Sequence, residues 1–276
     1  MKQTNFLILG GNGKTGRRVA ERLNGRGDSS IRIGSRRGSP AFDWENSGTW
    51  PDVIKGMDAV YISFQPDLAI PSAVDTIQHF VSMAAAAGVS KMVLLSGRGE
   101  KEAQRCEQIV QDTAASWTIV RASWFNQNFN EGIFLEPVLA GQVALPRADA
   151  PEPFVDADDI ADVVVEALLD DKHDGQIYEL TGPRLMTLRE LVAEIGRATG
   201  REIQFHALSV EEYIEQLRAY QLSEEELWLV NYLFTEVLDG RNASVSTDIE
   251  KLLGRKAIDF VEYAERMAAS GVWESK

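Results

Sequence analysis

Cysteine is almost absent from this chain of 276 residues, where Cys106 stands alone. A single thiol excludes an intramolecular disulfide and a cysteine-based metal cluster. Histidine is nearly as scarce. His79, His173 and His206 are scattered, without the short spacings that bring two imidazoles onto one metal, so no metal site is expected. Positive charge is also short: 28 Lys and Arg stand against 42 Asp and Glu, a net charge of −14. So acidic a chain is a poor match for nucleic acid, because phosphate contact needs a basic face. No apolar run approaches the ~18 residues of a membrane helix, and the run that ends at Gly10 is too short for a signal-peptide core. The expectation is a cytoplasmic protein with a small-molecule ligand and neither nucleic-acid nor membrane partners. No feature of the sequence sets an oligomeric state.

The composition itself is ordinary, 44% hydrophobic and 25% charged. That supports a sizeable core and excludes dominant disorder. In the first half, short apolar runs alternate with helical patterns. Phe6–Leu9, Ile31–Ile33, Asp58–Ser63, Lys91–Leu95 and Trp117–Val120 read as strands. Gly16–Leu23, Ala73–Ala87 and Glu100–Ala115 read as helices. This alternation predicts a doubly wound parallel α/β sheet, which binds ligands beyond the carboxyl ends of its strands. Residues 122–147 are irregular and rich in aromatics and Asn. A helix follows over Ile160–Leu169 and a strand over Gln176–Leu180, and the rest reads mainly helical. Three capping boxes, Thr187/Glu190, Ser209/Glu212 and Ser223/Glu226, mark helix starts there.

The segment Gly10-Gly11-Asn12-Gly13-Lys14-Thr15-Gly16 follows a strand and opens a helix. Its glycines, spaced G-x-x-G-x-x-G, let the backbone turn tightly and approach a pyrophosphate seated on the helix N-terminus. The Gly13-Lys14-Thr15 ending resembles a nucleoside-triphosphatase loop, but that motif needs glycine where Ile8 stands. The second strand ends in Gly34-Ser35-Arg36-Arg37, with no acid to take a ribose hydroxyl. Two guanidiniums beside a serine suit a 2′-phosphate instead, so NADP(H) is expected over NAD(H).

These residues, with Phe42-Asp43-Trp44, Val93–Ser96, Trp117–Arg121, Trp124–Phe129 and Pro153–Ala161, resemble the NmrA-like group of atypical short-chain dehydrogenases. Within it the likeness runs to the ergot-alkaloid reductases of agroclavine and festuclavine dehydrogenase type. The resemblance spans most of residues 5–185 and is looser beyond. It implies a Rossmann-type NAD(P)-binding domain over residues 1–180, with a pocket-lining insertion at about 122–150, and a mainly helical lobe over 181–276. It further implies that Asp43 and Trp44 lie near the adenine and that Phe64-Gln65-Pro66 passes the cofactor's middle. Ser96 would face the nicotinamide, and Trp124, Phe125 and Asn128 would line the substrate pocket.

Short-chain dehydrogenases usually carry Tyr-x-x-x-Lys, the tyrosine acting as general acid. None of the six tyrosines here has a lysine four residues on, and the family's two positions fall at about Gly99 and Ala103. Ser96 and Arg98 are the nearest catalytic candidates, with Glu100 and Lys101 close by. Two readings remain open. One is an NADPH-dependent reductase whose acceptor, an imine, iminium or quinone-like compound, needs little acid help. The other is a non-catalytic NADP(H) sensor of the NmrA regulatory type. A serine hydrolase centred on Ser96 is excluded because Leu94 stands where its motif needs glycine. Cys106, at helical spacing with Ala103 and Val110, reads as core. Asp156, Asp158 and Asp159 read as a helix start rather than a catalytic cluster.

Overall fold

The computed structural model describes residues 4–24, 26 and 29–274. In chain order the strands and helices are β1 (Thr4–Leu9), α1 (Lys14–Asn24), β2 (Ser29–Gly34), α2 (Trp50–Ile54), β3 (Ala59–Ile62), α3 (Ala73–Ala86), β4 (Lys91–Gly97), α4 (Ala103–Gln111) and β5 (Ser116–Ala122). They continue with α5 (Leu135–Leu139), β6 (Gln142–Pro146), α6 (Ala157–Leu169), β7 (Gln176–Leu180), α7 (Leu188–Thr199), β8 (Gln204–Leu208), α8 (Val210–Arg218), α9 (Glu224–Tyr232), α10 (Asp248–Leu253) and α11 (Phe260–Ala269). They form two compact units. The first is the chain through Ala122 together with Ala157–Glu179, and the second is Ser123–Asp156 with the chain from Leu180 on.

The first unit carries a six-stranded sheet of order β2-β1-β3-β4-β5-β7, Rossmann-like, with parallel pairing from β2 through β5. Leu7 stands opposite Val60, and Val60 opposite Met92. Leu7, Ile8, Val60 and Ile62 are fully buried. Such unbroken apolar runs mark strands covered on both faces, and each of these side chains contributes roughly 1.5–3 kcal/mol by leaving water. The helix α1 packs on α6, where Arg22 pairs with Asp158 and Asp162 and Arg18 with Asp158. Asp158 and Asp159 open α6, as acids in a first turn should. Asp158 also anchors α1.

The helix expected from Glu100 begins at Ala103 instead. Gly99 takes φ +78, a left-handed turn that spends the intervening residues before regular helix can start.

The second unit is helical apart from the parallel pair β6–β8, in which Val143 faces Phe205. All three capping boxes form, each with its serine or threonine and glutamate bonded reciprocally. The core joins Phe129, Phe134, Leu188, Leu191, Phe234 and Tyr263. Asp156, wholly buried, accepts from Gln127 at 2.8 Å and from Arg266 at 2.9 Å. That is a structural anchorage. No helix among the described residues is long and apolar enough to cross a membrane, and no group of metal-ligating side chains occurs among them.

Candidate functional site

Between the end of β1 and the start of α1 the chain must reverse within Gly10–Gly13. Gly10 does so at φ +64, and its carbonyl accepts the Gly13 N–H at 2.7 Å. A Cβ on Gly16 would collide with that same carbonyl, and one on Gly11 would lie 2.7 Å from Ile33. The first turn of α1 contains no acid. The N-terminal N–H groups and the positive end of the dipole of such a helix suit an anion. Asn12 is exposed and Lys14 half-buried. Thr15 is buried and accepts the Tyr61 hydroxyl at 2.9 Å. Burial raises the Tyr61 phenol above its ordinary range, so that hydroxyl stays a fixed donor. The Gln65 side-chain amide lies beside Gly13.

Past β2, the Ser35 carbonyl accepts the N–H groups of Gly38 and Phe42, closing a turn that leaves Arg36 and Arg37 exposed. Neither arginine has an ion-pair partner among the described residues. Asp43 turns its carboxylate onto the Glu45 N–H at 3.1 Å. The half-buried Trp44 packs against Phe42, Trp50, Phe80 and Phe64, with its ring centroid 5.0 Å from that of Phe64. Gln65 and Pro66 are exposed. The structure thus brings the glycine turn, the Phe64–Pro66 loop and the Trp44 cluster together at the carboxyl ends of β1 and β3. That is where doubly wound sheets take nucleotides.

Ser96 and Arg98 are committed elsewhere. The Ser96 hydroxyl donates to Glu107 Oε1 at 2.7 Å, and Arg98 Nε donates to Glu179 at 3.0 Å. Glu107, only 1% exposed, also receives Arg121 through Nε and the terminal nitrogen at 2.9 and 2.6 Å. Arg121 reaches on to Glu179 at 3.7 Å. Gly99 and Ala103, where the family's tyrosine and lysine were expected to fall, carry no titratable side chain, and Ala103 is fully buried.

Beside this network lies a second acid with no ion-pair partner among the described residues. Glu100 is 7% exposed, its carboxyl rests over Gly97, and its Oε2 has no hydrogen-bond partner. It is hydrogen-bonded to the carboxyl of Asp67, which in turn accepts the Ala69 N–H at 2.8 Å. Burial and the charge of Asp67 hold the Glu100 carboxyl well above the carboxylate range. Burial raises Asp67 as well. Cys106 is buried alongside, its thiol pushed up to about 12 by burial and by Glu107. Asp67, Glu107 and Glu179 belong to no motif. Only the fold brings Asp67 to Glu100, thirty-three residues away in sequence.

In the second unit, Trp124, Phe125 and Asn128 are half-buried, whereas Asn126, Gln127 and Phe129 between and beyond them are buried. The Trp124 ring lies 5.3 Å from Phe234 and 6.3 Å from Phe154. Phe125 bridges to Val155, and the Asn128 carbonyl accepts the Phe134 N–H. Each of the three keeps part of its surface exposed.

The model of the NmrA-like family matches residues 42–264. A phosphorylated-furanone reductase of Streptomyces griseus, (4-alkanoyl-5-oxo-2,5-dihydrofuran-3-yl)methyl phosphate reductase, is 31% identical over 95% of this chain and 99% of its own. The agroclavine dehydrogenase of Claviceps fusiformis is 26% identical over 94% of this chain and 95% of its own. Among solved structures, an NADPH-dependent quinone oxidoreductase from Escherichia coli complexed with NADPH superposes with a TM-score of 0.79. It is 18% identical and covers 95% of this chain and 99% of its own, a likeness of fold.

Proposed function

The chain belongs to the NmrA-like family, and on that premise we propose that it is an NADPH-dependent reductase delivering hydride to a small unsaturated acceptor. The observation that carries the reading is the acid-free N-terminus of α1 behind a glycine turn that tolerates no Cβ at Gly11 or Gly16. A bound nicotinamide would supply the hydride, and the protein supplies position and exclusion of water. Gly10–Gly16 would hold the pyrophosphate. Ser35, Arg36 and Arg37 would take the 2′-phosphate, for which two exposed arginines without acidic partners are suited. Asp43, Trp44 and the Phe64–Pro66 loop would flank the adenosine and the cofactor's middle. Trp124, Phe125 and Asn128 would receive a flat acceptor. Relatives named as a dihydrofuranyl-methyl phosphate reductase and an agroclavine dehydrogenase support this.

The test is calorimetric titration with NADPH and NADH on the wild type and Arg36→Ala. Loss of a charge-assisted hydrogen bond costs about 1.5–3 kcal/mol. NADPH affinity should accordingly fall roughly ten- to a hundred-fold in the variant, with NADH affinity unchanged. Equal affinities of the wild type for both nucleotides would refute the phosphate assignment. Tight NADPH binding with no acceptor reduced would turn the reading to the sensor.

A further inference from the structure

The missing tyrosine–lysine pair leaves the proposed reduction without an acid, and the fold places an unused one at the carboxyl ends of β3 and β4. Two carboxyl groups hydrogen-bonded to each other must share a proton, because a carboxylate can only accept. The groups around the pair agree. Glu107 faces it from α4 and adds negative charge, and Cys106 is a neutral thiol. The nearby cations Arg121 and Arg98 are engaged by Glu107 and Glu179. Lys101 and Asp75 are exposed. Glu100 is the more enclosed of the two. Its Oε2 is buried without a partner, a position untenable for a charged oxygen. The missing Cβ of Gly97 gives the carboxyl its room. Asp67 is the more exposed member.

We propose that the Asp67–Glu100 pair stores one proton and delivers it to the oxygen or nitrogen of a neutral acceptor, a quinone or an imine, as the acceptor is reduced. This rests on the reductase reading. The balance is closed. NADPH is oxidised to NADP+ and its hydride forms the new C–H or O–H bond. The proton leaves Glu100 by way of Asp67 to the acceptor's heteroatom, and water reprotonates the pair. A preformed iminium cation accepts hydride and becomes a neutral amine with no proton to add, so the pair selects for neutral acceptors.

The experiment has two arms on the full-length protein. Infrared spectroscopy without nucleotide should show a protonated carboxylic carbonyl at neutral pH that is missing in Glu100→Gln. Turnover of NADPH is then measured with menadione and with an N-methyl dihydroisoquinolinium salt. The ratio of quinone to iminium turnover should fall about 100-fold in Glu100→Gln, in keeping with the loss of a general acid, and Asp67→Asn should lower it similarly. Calorimetric NADPH affinity in both variants should match the wild type, which also shows that they fold. An absent carbonyl band overturns the stored proton. An equal loss on both acceptors, or no loss, overturns the donor role. A wild type that shows the band yet reduces neither acceptor removes the reductase reading and the donor role with it, leaving the paired proton standing.

Discussion

Glu107 and Glu100 lie seven residues apart and are both buried, at 1% and 7% exposure. Around Glu107 the fold assembles Ser96 and Arg121, which satisfy both of its oxygens. Around Glu100 it assembles Asp67, a second acid, and leaves one oxygen bare. A buried carboxylate is tolerable when a cation and hydrogen bonds replace its water. Without them the group keeps its proton. One residue type thus becomes a structural pin in one place and an acid reservoir in the other, and partners alone decide which.

The largest effect should come from breaking the first environment. Arg121→Met leaves Glu107 buried without its counter-charge, and removal of one partner of a buried pair costs about 3–5 kcal/mol. Urea denaturation at neutral pH should register that loss, and a change under about 1 kcal/mol would mean that Glu107 reaches water on its own. Ser96→Ala comes next. It deletes one hydrogen bond to the same carboxylate, worth about 1.5–3 kcal/mol when the acceptor is charged. The quinone-to-iminium turnover ratio should stay at its wild-type value. A collapse of that ratio in Ser96→Ala, with stability intact, would move the proton donor from Glu100 to Ser96.

This contrast also marks where sequence reading stops. The glycine turn, the strands of the first unit and the capping boxes were legible because each is written within a few consecutive residues. Gly10, Gly13 and Gly16 state a turn, and Ser209 with Glu212 states a helix start. The pair β6–β8 was not legible. Its strands lie some sixty residues apart, and β8 exposes most of its side chains, so no apolar run announces it. Ser96 and Arg98 could be singled out from their place near the end of a strand. Their partners Glu107 and Glu179 could not, because an ion pair is a property of the packed sheet. For the same reason Glu100 appeared only as a neighbour of the absent tyrosine position, and Asp67 not at all.

The smallest change in stability should separate the two environments most sharply. A Cβ on Gly97 would run into the Glu100 carboxyl, the far end of a flexible side chain that can swing aside. Gly97→Ala should therefore cost only about 1 kcal/mol, the low end for overpacking. Its signature lies in the pH dependence. Glu100 is raised well above its ordinary value of 4.5 in the folded chain, so it binds a proton in the folded state that the unfolded chain releases. That contribution to stability is fully present below about pH 4.5 and is lost as pH rises through the folded value. Stability of the wild type relative to Glu100→Gln should thus decline across that window. In Gly97→Ala, with the carboxyl displaced toward water, the decline should shrink, while the Glu107 pin is untouched. Denaturation curves for the three proteins across the window decide it. A Gly97→Ala profile as steep as the wild type would show that the room over Gly97 does not hold Glu100 in its protonated place.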